Sequence, residues 1–215
     1  MPFVYIVAED KADMRFYVAC TEKITGSPLE YEHIVSRKGS GIGMARKMAR
    51  HMLRMARAAA DGGDVFWIAA LDNDRAPQHP DGAQPTAGKL PKKDRSKANR
   101  YDELLEEAGD AISFGAIAVP VEMIESWVLQ ALSSDETLKL PIFAKQNSPS
   151  AREFHGGNPP PQLKDRAKEA MRNHDAESWP DFLLDVAAKL DPDALSGHSR
   201  SFRLFRDAVA AWEIS

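Results

Sequence analysis

The sequence predicts an α/β fold: a mainly parallel sheet with helices on both faces and a helical C-terminal cap. Three observations lead there. Phe3–Ala8, Val65–Leu71 and Ile112–Val119 are short apolar runs with the length of strands and the uniformity of strands covered on both faces. Segments of helical period separate them, giving a β-α-β-α-β-α-β-α order. Beyond Ser133 strand-like runs stop, and a loop leads into helical segments.

Each element follows from its residues. Phe3–Ala8 is the first strand. Asp10 to Ile24 reads as a helix, with Phe16 and Cys20 four apart and Met14, Tyr17 and Val18 beside them. Leu29–Val35 alternates moderately and suits an exposed strand. Gly43–Ala60 is a clear helix, and the Val65–Leu71 strand follows a Gly-Gly break. Asp94–Glu107 is a helix closed by Gly109. Ile112–Val119 is the next strand, expected with Phe3–Ala8 and Val65–Leu71 to be an inner one. Pro120–Leu132 is a helix whose proline sits where a first turn tolerates it. Lys145–Pro161, rich in Ser, Gly, Asn and Pro, is a loop. Helices then cover Gln162–Asn173, Trp179–Lys189 and Ser199–Trp212. The expected organisation is an α/β domain over residues 1–132, with residues 133–215 as a loop and helical extension packed on it.

At 215 residues the chain is long enough to bury a good core. Apolar residues make up 43% and charged residues 28%, as in ordinary globular proteins. No stretch approaches the roughly 18–20 apolar residues of a membrane span. Met1-Pro2-Phe3-Val4-Tyr5 reads directly as a strand rather than a signal peptide, so the expected location is the cytoplasm. The single cysteine, Cys20, excludes an internal disulfide framework and any Cys-rich zinc site, and its apolar helical setting marks it as core.

A net charge of −4 conceals segregation. Seven Lys/Arg and no Asp/Glu lie between Arg37 and Ala60, and six Lys/Arg against Asp94 alone between Lys89 and Arg100. These segments carry about +12 and leave about −16 elsewhere. In the Gly43–Ala60 helix, Met44, Met48, Met52 and Met55 form one stripe at 4-4-3 spacing. Arg46, Arg50, Arg54 and Arg57 repeat that spacing two residues on, about 200° around the helix. The Met stripe faces the core. The Arg stripe is either a solvated face or a polyanion contact, as is the Lys89–Arg100 run with Lys92, Lys93 and Arg95.

The chemistry concentrates where apolar runs end in acids. Val65–Leu71 ends in Asp72-Asn73-Asp74-Arg75, and ligands of open parallel sheets bind beyond the carboxyl ends of strands. Two carboxylates one residue apart suit a hard divalent cation such as Mg²⁺; the same triplet also suits a polar turn. Glu9 follows the first strand. If the first and third strands are parallel neighbours, Glu9, Asp72 and Asp74 open at one edge, and three carboxylates together call for a cation. Alone, Glu9 suits the positive N-terminal end of a helix. Glu122 and Glu125 share a helical face by their i,i+3 spacing and are either site acids or surface acids of a first turn.

A strand ending in Glu and a later one ending in Asp-x-Asp, with β/α alternation between, resemble the Toprim domain of topoisomerases, primases and nucleases of the overcoming-lysogenization-defect type. Ile124-Glu125-Ser126-Trp127-Val128-Leu129 is similar to a Phe-Glu-x-Trp-Leu-Leu motif of small Toprim-like proteins linked to restriction and phage defence. Ser201-Phe202-Arg203-Leu204-Phe205 is similar to their C-terminal Ser-Phe-x-x-Phe segment. The resemblance covers residues 3–132 and extends weakly beyond. It implies a Toprim/Rossmann-like sheet in which Glu9, Asp72 and Asp74 bind Mg²⁺ or Mn²⁺ and act catalytically, joined by Glu125. The chain departs from the pattern at Glu9-Asp10, where the family has Glu-Gly, and it has no evident tyrosine-nucleophile domain.

Other patterns carry less. Gly39-Ser40-Gly41-Ile42-Gly43 lacks the Gly-Lys-Ser/Thr of a phosphate loop. Ala76–Leu90 reads as a loop before the basic run. The six histidines have no metal-ligand spacing, and no Gly-x-Ser-x-Gly elbow occurs. The leading expectation is therefore a metal-dependent phosphodiesterase acting on nucleic acid, DNA or RNA. In it, Arg46, Arg50, Arg54, Lys92, Lys93 and Arg95 hold the backbone. A non-catalytic Toprim-like binding or sensor module and a metal-dependent nucleotide-sugar transferase are the alternatives. Divalent-metal binding separates the module from both enzymes, and cleavage of DNA or RNA separates the two enzymes.

Overall fold

The computed structural model describes residues 1–8, 11–35, 65–72, 100–120, 124–134, 163–174 and 176–214. Strands β1 (Phe3–Ala8), β2 (Glu30–Val35), β3 (Val65–Ala70) and β4 (Gly115–Ala118) form one sheet in the order β2-β1-β3-β4. Every pair is parallel, with Val4 opposite both Tyr31 and Phe66, and Ala69 opposite Ile117. The α/β fold with an all-parallel sheet is thus as the apolar runs predict.

Helix α1 (Lys11–Thr25) buries Met14, Phe16, Tyr17, Val18 and Cys20. It ends at Gly26, whose φ of 69° is the left-handed conformation glycine adopts freely, and the Gly26 amide bonds back to the Glu22 carbonyl at 2.8 Å. Helix α2 (Arg100–Ala108) ends at Gly109, φ 50°, and passes into a 3₁₀ turn over Gly109–Phe114. Helices α3 (Ile124–Ser134), α4 (Leu163–Asn173), α5 (Trp179–Lys189), α6 (Pro192–His198) and α7 (Arg200–Ala210) complete the described elements.

Strand residues alternate between two apolar clusters, as the twofold period of a strand requires. On one face Val4, Ile6, Ala8, Phe66, Ile68, Ala70, Ala116 and Ala118 meet helices α1, α3, α5 and α7. On the other, Val7, Trp67, Ala69, Leu71, Ile117 and Val119 meet Leu104 and Ala108 of α2. The C-terminal helices belong to the first cluster: Trp212 stacks on Phe66 at 4.6 Å with 15° between the rings. Lys23 of α1 donates to the Ala188 carbonyl in the last turn of α5 at 2.6 Å. Among the described residues no helix is long and apolar enough to cross a membrane.

Three expectations are corrected. The strand expected from Ile112 starts only at Gly115. Trp67, opposite Gly115 in register, donates its indole N–H to the Ala111 carbonyl at 3.2 Å. Its ring also occupies the space where a Cβ on residue 115 would sit, so the strand pairs where glycine admits the indole. That strand, expected to be an inner one, is last in the order of the described strands, and α7 covers it. Pro120 precedes rather than opens a helix: Val119 and Pro120 are irregular, and α3 is described from Ile124. Helix α6 was not expected. Asp191 caps it, accepting from the amides of Asp193 and Ala194 at 2.9 and 3.3 Å, with Pro192 as its first residue. The helix expected over Gly43–Ala60 and the loops at Ala76–Leu90 and Lys145–Pro161 lie outside the described residues.

Candidate functional site

In a parallel sheet all strands point their carboxyl ends at one edge. In the order β2-β1-β3-β4 the chain leaves β1 toward β2 on one side and β3 toward β4 on the other. The carboxyl ends of β1 and β3 therefore flank a topological switch point, where such sheets bind ligands. Val7 lies opposite Ala69, so Ala8 and Ala70 close the two strands at the same level. The chain continues from Ala8 into Glu9 and from Leu71 into Asp72.

Asp72 is half-buried at this edge. Leu71 still belongs to the sheet, its amide donating to the Ala118 carbonyl at 3.0 Å. Asp72 Oδ1 accepts from the Ile124 amide at 3.1 Å, at the start of α3. A carboxylate there accepts from an amide in the first described turn of α3, and it lies toward the positive end of the helix dipole. Sequence reasoning foresaw the acid at the edge but not this cap.

Glu125 follows Ile124 and is partly buried in the first turn of α3. The structure thus brings Asp72 and the turn carrying Glu125 together around one helix N-terminus, across more than fifty positions of chain. Glu125 also lines a cleft of about 340 Å³ with Lys168, Met171 and Arg172 of α4 and Trp179 of α5. Its C-terminal wall was missed from sequence. The available signal was Lys168 and Arg172 at i,i+4 in one helix, followed by a tryptophan opening the next.

Glu9, Asp74 and Glu122 lie outside the described residues, as do Arg46, Arg50, Arg54, Lys92, Lys93 and Arg95. Among the described residues no three His, Cys, Asp or Glu side chains are grouped to hold a metal ion.

No family model matches the chain, and neither a curated protein nor a solved structure matches it.

Two motifs singled out in the sequence meet in the core. Trp127 is buried in α3 and donates from Nε1 to Ser201 Oγ at 2.9 Å. Its ring lies edge-on to Phe202 at 5.1 Å and against Phe205 at 5.8 Å. Tyr17 of α1 meets Trp127 at 6.0 Å and Phe205 at 6.1 Å. The Trp127 and Ser201–Phe205 segments hold α3 and α7 against α1. They position the N-terminus of α3, and with it the partner of Asp72.

Proposed function

We propose that this protein is a metal-dependent phosphodiesterase acting on nucleic acid, with Glu9, Asp72 and Asp74 as its metal-binding acids and Glu125 as a further acid beside them. One observation carries the reading: β1 and β3 are parallel neighbours in register, so the chain enters Glu9 and Asp72-Asn73-Asp74 from the same edge at the switch point. Hard carboxylate oxygens suit Mg²⁺ or Mn²⁺, and the Ile124 amide bond orients the Asp72 carboxylate. A divalent cation bound there would polarise a phosphate and activate water. The basic segments around Arg46–Arg54 and Lys92–Arg95 supply backbone charge contacts without base readout. A role in phage defence rests on the resemblance of the motifs alone.

A second reading is a non-catalytic Toprim-like module. It is favoured by the same Asp72 bond, because capping α3 gives that acid a structural task without a metal. The test is cleavage of single- and double-stranded DNA and RNA with Mg²⁺ or Mn²⁺ and with EDTA. Cleavage that requires the cation and is lost in Asp72→Asn, Asp74→Asn and Glu9→Gln supports the enzyme. Absence of both cleavage and divalent-cation binding overturns it in favour of the module. Alanine at Arg46/Arg50/Arg54 or Lys92/Lys93/Arg95 is expected to weaken nucleic-acid binding and flatten its salt dependence.

A further inference from the structure

We propose that the cleft between α3, α4 and α5 is a nucleotide subsite for single-stranded nucleic acid, in which Trp179 stacks a base and Lys168 and Arg172 hold the adjoining phosphates. This rests on the nucleic-acid reading above and deepens it by naming the form of substrate.

The cleft, about 340 Å³, falls within the size range of small-ligand sites and accepts a base with its sugar. Its walls differ in character. Met171 and Trp179 supply apolar surface. Lys168 and Arg172, four apart on α4, supply two positive charges on one side, and Glu125 faces the other from α3.

The two cations are exposed and form neither an ion pair nor a side-chain hydrogen bond among the described residues. Some other cations are engaged: Lys189 pairs with Asp185 at 2.7 Å, Arg206 meets Asp193 and Asp207 at 3.4 and 3.1 Å, and Lys23 meets the Ala188 carbonyl. Two neighbouring cations on one helix face that form no ion pair among the described residues suit an anion, and phosphate is the anion that accompanies a stacking partner.

Trp179 is the second indicator. Of the four tryptophans, Trp67, Trp127 and Trp212 are buried and Trp179 alone is partly exposed. It packs on Phe182 at 5.5 Å while lining the cleft. An indole beside a basic groove is the platform on which single-stranded bases stack. A duplex covers its base faces by its own stacking, so only an unpaired base reaches a side chain in a cleft wall. Glu125, which lines the cleft, is one residue from the amide that holds Asp72. A strand seated there lies beside the proposed cleavage edge.

The test keeps binding apart from cleavage. With EDTA present, an oligodeoxyadenylate of roughly ten nucleotides is titrated while tryptophan emission is followed. Saturable quenching is expected, and a duplex of the same sequence should not produce it. Lys168→Ala/Arg172→Ala should weaken binding roughly tenfold or more and reduce its salt dependence. Trp179→Leu should remove the quench, and Trp179→Phe should retain most of the affinity. The exposed Lys168/Arg172 pair guards against a Trp179 variant that misfolds, with circular dichroism and Tm as controls. Unchanged affinity in a folded Lys168/Arg172 double variant, or absence of quenching on binding, overturns the subsite. Quenching without metal-dependent cleavage supports the subsite and counts against the phosphodiesterase. Cleavage without a Trp179 response does the reverse.

Discussion

The indole nitrogen of Trp127 donates to the hydroxyl of Ser201 at 2.9 Å, joining α3 to α7 across 74 positions of sequence. Ser201 Oγ is in turn 3.3 Å from Ser199 Oγ, which accepts the Phe202 amide at 3.1 Å and so caps α7. The chain of bonds is buried, with Trp127 and Ser199 wholly inaccessible. A buried indole N–H needs an acceptor. Here that need fixes how α7 sits on α3.

Removing the acceptor should therefore cost more than its small volume suggests. Ser201→Ala leaves the Trp127 N–H buried and unsatisfied, and about 1–3 kcal/mol of stability should be lost. Trp127→Phe/Ser201→Ala should cost less than the two single changes added together, since both ends of the bond then disappear. Urea unfolding of the four proteins measures this coupling, and strict additivity would count against the bond.

Gly115 should tolerate no side chain. A Cβ built there lies 1.9 Å from Trp67 Cε2, and the indole is held by its bond to the Ala111 carbonyl. Gly115→Ala should destabilise by about 3 kcal/mol or more, the upper range for overpacking. Adding Trp67→Leu should recover part of that loss in the Gly115→Ala background. A Gly115→Ala protein with wild-type stability would mean that the ring does not lie over this glycine.

Asp72 accepts the Ile124 amide and, in the proposed reading, also holds the metal ion; the two roles are separable. Asp72→Asn retains an oxygen for the Ile124 amide, whereas Asp72→Ala leaves the amide without it. Alanine should cost about 0.5–2 kcal/mol, as loss of a helix cap does, and asparagine distinctly less. The proposed metal-dependent cleavage should be absent in both. Thermal unfolding with a cleavage assay on the same samples resolves the two. If asparagine destabilises as much as alanine, the hydrogen bond is not what Asp72 contributes to the fold.

Burial pushes the Cys20 thiol far above its usual range, and nearby Lys23 opposes this only weakly. The neutral thiol is thus favoured in the folded state, while the unfolded chain releases its proton near pH 8.5. The folded state binds the extra proton above that pH, so stability should fall as pH rises, by up to about 1.4 kcal/mol per pH unit from this group. Below the unfolded value the contribution is complete. Cys20→Ala should remove this part of the alkaline slope, read from urea unfolding at pH 8 through 10. Native Cys20 should also resist thiol reagents until the chain unfolds.

Much of the fold is legible locally. Phe3–Ala8 and Val65–Ala70 declare themselves as buried strands because a strand covered on both faces has no polar side to display. Trp179–Lys189 carries its own boundaries, with Ser178 capping its start and Pro180 in its first turn. Asp191-Pro192 is an equally local start signal, and reading it would have revealed α6. The acids after two strands were visible as well, and parallel pairing of β1 with β3 puts the chain positions they follow at one edge.

What the tertiary structure alone decided depends on neighbours distant in sequence. Ile112–Phe114 is as apolar as the strand it adjoins. Only the Trp67 ring, 48 positions away, makes Gly115 the place where β4 begins. Asp72 reads as a ligand or a turn residue until α3 presents the Ile124 amide to it. Trp127 and Ser201 each read as helix residues, and their bond exists because packing removed both from water. Local composition determines which segments are strands and helices, since burial pattern and caps act over a few residues. The partners of buried polar groups depend on long-range packing, because desolvation makes each group seek whatever acceptor the fold brings near.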